Sequence, residues 1–216
     1  MVPDWLSGYI KEEGLERIVQ AVRTAETKTR GEIVPMVVRR SAGTAHVPLT
    51  AAAIVLASAY AAGLQLSRAH LPWGHWAWLP LDLALGLLAG WGLAKFAWVR
   101  NALTPPQDRA RAAFLRAQSA FHAHGLDRTK GSSGILLFVS LEDRQAVVLA
   151  DKGIAERMPK ETWDQLCEML LRGARYGDLA SGYQAAVARC ATILEKKFPV
   201  TRYDKDELPN QLIIED

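Results

Sequence analysis

Between positions 47 and 100, this chain of 216 residues carries two long apolar runs that charge barely interrupts. Residues 47–67 contain no Asp, Glu, Lys or Arg, and residues 79–99 contain only Asp82 and Lys95. An α-helix rises about 1.5 Å per residue, so a run of about 20 residues matches the roughly 30 Å hydrocarbon core of a bilayer. Residues 68–78 join the runs. The pattern predicts a helical hairpin that crosses the membrane twice and returns the chain to the side it left. The core helices of globular proteins rarely stay uncharged for so long.

Aromatic and basic residues give the hairpin an orientation. Trp73, Trp76 and Trp78 cluster at its tip and Trp98 stands at the far end of the second run, which predicts two interfacial belts. Pro80 suits the first turn of the second helix. Asp82 falls about one turn inside the outer interface, and Lys95 is near enough to the other end to snorkel. Ala51, Ala52, Ala57 and Gly63 on one run, and Gly86, Gly90 and Gly92 on the other, allow close helix approach in lipid. Arg39, Arg40, Lys95, Arg100, Arg109 and Arg111 lie near the open ends, against Arg68 at the tip. The positive-inside bias predicts an inner (plasma) membrane protein with both termini cytoplasmic. Residues 1–14 are too polar for the apolar segment of a signal peptide.

The net charge of +3 is modest, and its basic excess lies mostly beside the apolar runs. That favours the lipid bilayer as a partner and argues against nucleic acid, for which there is no Lys/Arg block interleaved with aromatics. Cys167 and Cys190 have no zinc spacing and, in a cytoplasmic domain, read as buried free thiols.

The flanks read as alternating helices and strands. Residues 4–28 are helical, with a break near Gly14; Leu15, Ile18, Val19 and Val22 share one face. Residues 32–40 (EIVPMVVRR) form a strand buried on both faces, in which Pro35 demands a bulge or an unpaired edge. After the hairpin, Thr104 and Pro105 start a helix that runs to about His124. Its apolar stripe is Ala110, Ala113, Phe114, Ala117 and Phe121, and Gly125 is the stop. Residues 134–140 (GILLFVS) and 145–150 (QAVVLA) form an antiparallel pair across a charged turn. A turn at Asp151-Lys152-Gly153 leads to helices over 159–173 and 178–197. The tail from Pro199 is polar, except for Leu212-Ile213-Ile214. These elements predict an α/β three-layer sandwich with a small mixed sheet, interrupted by the two-helix transmembrane hairpin. The segments are 1–45 and 101–198 for one soluble domain, 47–100 for the hairpin, and 199–216 for the tail.

Thr29-Arg30-Gly31-Glu32-Ile33-Val34 after an amphipathic helix resembles the start of a TPM domain. So does Gly134-Ile135-Leu136-Leu137-Phe138-Val139-Ser140 with its charged turn and the strand ending Ala150-Asp151-Lys152-Gly153-Ile154. Arg172-Gly173 and Gly182-Tyr183 of the final helix pair fit as well. The family includes thylakoid-lumen proteins implicated in photosystem repair, a receptor-accessory protein and bacterial membrane proteins. The resemblance spans about 1–45 and 101–198. It implies a phosphatase-like domain and, in some members, calcium bound by acidic loops. The family often has an acidic residue before the Gly-Ile/Val-Leu strand, where this chain has Gly131 and Ser132. Its Gly-aromatic-Gly turn is here Asp151-Lys152-Gly153.

The residues themselves offer Glu32, Asp127 and Asp151 as three carboxylates from separate loops that could hold calcium or magnesium through oxygen. The competing expectation is that turn aspartates serve local hydrogen bonds. Arg128, Lys130, Lys152 and Ser132/Ser133 are candidate phosphate contacts, with solvated loop chemistry as the plainer role. His122 and His124 stand two positions apart and do not share a helical face. There is no phosphate loop, nucleophile elbow or His-Glu-x-x-His motif. Two functions follow as expectations. One is a membrane-held binding or accessory module for another membrane protein, in assembly or quality control. The other is a metal-assisted phosphomonoester hydrolase.

Overall fold

The computed structural model describes residues 2–62, 79–129, 133–156, 158–200 and 208–216. In chain order the elements are α1 (Glu12–Glu26), β1 (Glu32–Val38), α2 (Val47–Ala61), α3 (Leu79–Leu93), α4 (Ala97–Leu103) and α5 (Pro106–Ala123). They continue with β2 (Gly134–Ser140), β3 (Gln145–Ala150), α6 (Lys152–Ala155), α7 (Lys160–Arg175), α8 (Leu179–Lys197) and β4 (Ile213–Glu215). They fall into two compact units, Met1–Ser41 with Ala110–Asp216, and Ala42–Arg109.

The first unit is built on a mixed sheet of order β3-β2-β1-β4. β1 runs parallel to β2 in unbroken register from Glu32↔Gly134 to Val38↔Ser140, and β3 returns antiparallel to β2. β1 and β2 are buried along their whole length, because helices cover both faces. Ile33, Val37, Ile135, Leu137 and Val139 pack on one face with Ile18 and Val22 of α1, Leu166 and Leu170 of α7, and Tyr183 and Val187 of α8. Val34, Met36, Val38, Leu136 and Phe138 pack on the other with Ala113, Ala117 and Phe121 of α5 and with Leu126. Strand residues alternate between faces, so a near-continuous apolar run is what two covered faces require. The buried Tyr183 hydroxyl crosses its layer to donate to the Met36 carbonyl at 2.5 Å.

Several expectations change here. α1 starts at Glu12; residues 4–9 form turns, and Gly14 lies inside the helix against Ile10 and Ala180. The α5 stripe is Ala113, Ala117, Ala120 and Phe121, while Phe114 is exposed. Of the two accommodations expected for Pro35, the unpaired edge is met and the bulge is not. The Glu32 N–H donates toward β2, to Ser133 O, and the Ile33 N–H donates on the opposite side, to Glu26 Oε1. By the two-residue period, Pro35 shares the side of Ile33. There the β4 ladder begins only at Met36↔Ile213, so the missing proline N–H costs no strand bond. The tail segment around Leu212-Ile213-Ile214 supplies β4, parallel to β1, and the expected turn at Asp151-Lys152-Gly153 starts α6.

In the second unit, α2 and α3 pack along a seam of small residues. A Cβ on Gly90 would strike Pro48 O and Ala52 N, and one on Gly86 would lie 2.6 Å from Leu56 Cγ. The two membrane-crossing helices expected from the apolar runs are not found among the described residues. α2 and α3 each have 15 residues. Among the described residues no single helix is long and apolar enough to cross a membrane; α3 and α4 meet that test only together, bent by 106° after Leu93. The turn at residues 94–96 divides the second apolar run. Trp73, Trp76, Trp78 and Arg68, from which the tip was inferred, lie outside the described residues.

Candidate functional site

One end of the sheet carries the three carboxylates singled out from sequence. Glu32 opens β1 opposite Gly134, and Asp151 follows β3 with its N–H donating to Gly134 O at 2.9 Å. Asp127 sits in the 3₁₀ turn Leu126–Arg128, which lies against the start of β2. The approach is so close that a Cβ on Gly134 would fall 2.5 Å from Leu126 O, which explains the glycine at that position. Hydrogen bonds knit the surrounding loops. Thr29 Oγ1 donates to Phe198 O at 2.8 Å, Ser133 Oγ donates to Arg30 O at 2.9 Å, and Ser133 N donates to Thr129 Oγ1 at 3.1 Å.

The three side chains have separate surroundings. Asp127 Oδ2 accepts from His122 Nδ1 at 3.1 Å, and that hydrogen bond holds its carboxyl below the usual carboxylate range. Asp151 Oδ1 caps α6 by accepting from Lys152 N at 2.6 Å. Its Oδ2 is buried and meets no hydrogen-bond partner among the described residues. Glu32 is buried at the strand start. Among the described residues, no group of three or more His, Cys, Asp or Glu side chains is placed to hold a metal ion. Of the three carboxylates expected to hold calcium or magnesium, Asp127 and Asp151 each make a local hydrogen bond, while calcium draws six to eight oxygens toward one point. Lys130, Gly131 and Ser132 lie outside the described residues. The two histidines diverge, with His124 Nε2 reaching toward Glu215 Oε1 at 3.6 Å instead.

The opposite end of the sheet holds a polar cluster that the sequence reading passed over as a charged turn. Asp143 is 2% exposed, and its Oδ2 accepts from Ser140 Oγ at 2.8 Å and from Ser41 N at 2.6 Å. Arg39 Nε donates to Glu142 Oε1 at 2.9 Å, a contact that raises the already high pKa of the guanidinium. Arg116 donates to Arg40 O at 2.7 Å and to Asp216 O at 2.5 Å, tying α5 to the ends of β1 and β4. The sequence signal was Ser140-x-x-Asp143, the spacing at which a hydroxyl and a carboxylate close a turn. Carboxyl ends of parallel strands are where open α/β sheets place ligand crevices. Here those groups are engaged with one another and brace the strand ends.

Burial pushes the Cys167 thiol up to about 11 and the Cys190 thiol up to about 12, so both stay protonated at neutral pH.

Residues 101–193 match the family model described as the TPM domain. The chain is also similar to the NMR structure of BA42 protein from the psychrophilic bacterium Bizionia argentinensis sp. nov.. Identity is 21%, 95% of each chain is covered, and the TM-score is 0.59, a likeness of fold. No curated protein matches.

Proposed function

From the TPM domain that residues 101–193 carry, we propose a membrane-anchored, cytoplasm-facing module that binds or assists another membrane protein in assembly or quality control. One observation carries the anchoring. The small-residue faces of α2 and α3 meet each other, and what is left outward is apolar. Leu81, Leu83, Leu85, Leu87, Leu88 and Trp91 of α3 are all exposed, as are Leu49 and Ile54 of α2. A helix that is apolar all round is stable only when something apolar surrounds it, and monomeric soluble proteins rarely expose patches this large. Lipid chains meet that need without further protein. The basic residues at the open ends of the apolar runs favour the cytoplasmic side for both flanks. A tether of this kind raises the local concentration of the attached domain near membrane partners.

The accessory role is favoured over catalysis by the local hydrogen bonds of Asp127 Oδ2 and Asp151 Oδ1 and by the protonated thiols. The alternative, a metal-assisted phosphomonoester hydrolase, draws on the buried Oδ2 of Asp151, which meets no hydrogen-bond partner among the described residues. Two measurements decide. Alkaline carbonate extraction should leave the full chain in the membrane pellet; release into the supernatant would remove the anchor. Titration of purified protein with calcium or magnesium, with a phosphomonoester turnover assay, should give no metal-dependent turnover. Turnover that is lost in both Asp127→Ala and Asp151→Ala would establish the hydrolase instead.

A further inference from the structure

The second apolar run ends in a corner. α3 stops at Leu93, residues 94–96 turn, and α4 leaves at 106° to α3. The corner is held by specific contacts. Arg100 Nη1 reaches back from α4 to donate to Ala94 O at 3.2 Å and Lys95 O at 2.7 Å. Those carbonyls lie just past the end of α3, where the helical bonding pattern stops and donors must come from elsewhere. On α4 itself Val99 is buried, so one side of this short helix is anchored. Its other side is not. Phe96 and Trp98 are 55% and 69% exposed. Lys95 Nζ stands 4.0 Å from the centroid of the Trp91 ring, one turn before the corner. No Asp or Glu occurs between Asp82 and Asp108. Over a few residues the exposed surface changes from mostly leucine and alanine to aromatic rings interleaved with two cations.

We propose that α4 is an interfacial helix that lies in the headgroup layer of an anionic phospholipid leaflet. This rests on the membrane reading of α2 and α3. A helix leaving at 106° from one that runs near the bilayer normal travels close to the membrane plane. Such placement puts Phe96 and Trp98 at the level where amphipathic rings partition, and Lys95 and Arg100 at the level of the lipid phosphates. The charge selects the lipid: each cation near an anionic surface is drawn to it, and no carboxylate between Asp82 and Asp108 opposes it. The corner therefore marks the depth at which the hairpin stops.

Site-directed spin labelling of the full chain tests this. In a Cys167→Ser, Cys190→Ala background, labels are placed singly at Leu88→Cys and Trp98→Cys. The protein is reconstituted in vesicles of phosphatidylcholine with phosphatidylglycerol, and depth is read from collision with oxygen and with a water-soluble nickel complex. The Leu88 label should report hydrocarbon and the Trp98 label the headgroup boundary. Exchanging phosphatidylglycerol for phosphatidylcholine should move the Trp98 label toward water. A Trp98 label as deep as the Leu88 label, or one in bulk water, overturns the proposal while leaving the anchor intact. So does spin–spin broadening at Trp98 that reports a second copy seated on α4. An unchanged depth without phosphatidylglycerol overturns the anionic preference. Free nickel access at Leu88 overturns the membrane reading itself.

Discussion

Asp178 shows how much one side chain settles at an element boundary. It caps α8, with Oδ1 accepting from Ser181 N at 3.1 Å and Oδ2 accepting from Ser181 Oγ at 2.5 Å, and Arg17 stands 3.5 Å away. The Ser181 hydrogen bonds, the side-chain one foremost, lower its pKa. A lowered carboxyl pKa stabilises the fold at pH values above the unfolded value, near 3.9, and that stabilisation is lost as pH falls through the folded value. Asp178→Ala should therefore cost about 1 kcal/mol near neutral pH, the usual worth of a helix cap. The gap to wild type should close in acid. Denaturant unfolding of the two proteins at neutral pH and at a pH below the folded value measures both. An equal gap at the two pH values would mean that the ionised carboxylate is not what holds the helix start.

At the scale of elements, α7 and α8 cross at a point where neither has a side chain. A Cβ on Gly173 would lie 2.7 Å from Gly182 Cα and 2.9 Å from Asp178 O, and these are backbone atoms that cannot turn aside. Gly173→Leu should force the helices apart and cost about 1–3 kcal/mol or more, the range for overpacked contacts. Gly8→Ala makes a control, since a Cβ there meets nothing within 4 Å among the described residues. A denaturation midpoint lowered in the first variant and unmoved in the second is the expected outcome. If Gly173→Leu unfolds like wild type, the close crossing is wrong. The family resemblance singled out Arg172-Gly173 and Gly182-Tyr183, and these contacts give a physical reason for both glycines.

At the scale of the whole molecule, β1 comes before the apolar hairpin and its parallel partner β2 comes after it. The sheet therefore cannot close until both flanks are made. Joining residues 1–41 to 110–216 through a flexible linker should give a domain that unfolds in one cooperative transition. Residues 110–216 alone should be much less stable, because β2 would lose its parallel neighbour and β4 its only described partner. Urea melts of the two proteins test this, and equal stability would show that β1 is dispensable.

The sequence by itself determined most elements of the sheet unit. The bounds of β2 and β3, the interrupted order, the Gly125 stop and the buried thiol of Cys190 were all legible, because hydrophobic period and turn chemistry are local properties, while Cys167 is only half-buried. The TPM resemblance was legible too, and the family match over 101–193 bears it out. Other features were decided only by tertiary structure. β4 is three residues long and has no pattern of its own; it is a strand because β1 offers it a ladder. Pro35 is tolerated because of which side of β1 its nitrogen faces. The candidate carboxylates were visible as residue types, but their partners were not. His122 is five positions from Asp127 and Ser41 is 102 from Asp143, and nothing in the composition says which oxygen each donor will find. The corner after Leu93 was hidden for the same reason. Apolar composition runs through it with only Lys95 to interrupt it, and the turn is held by the reach of Arg100 back to two carbonyls.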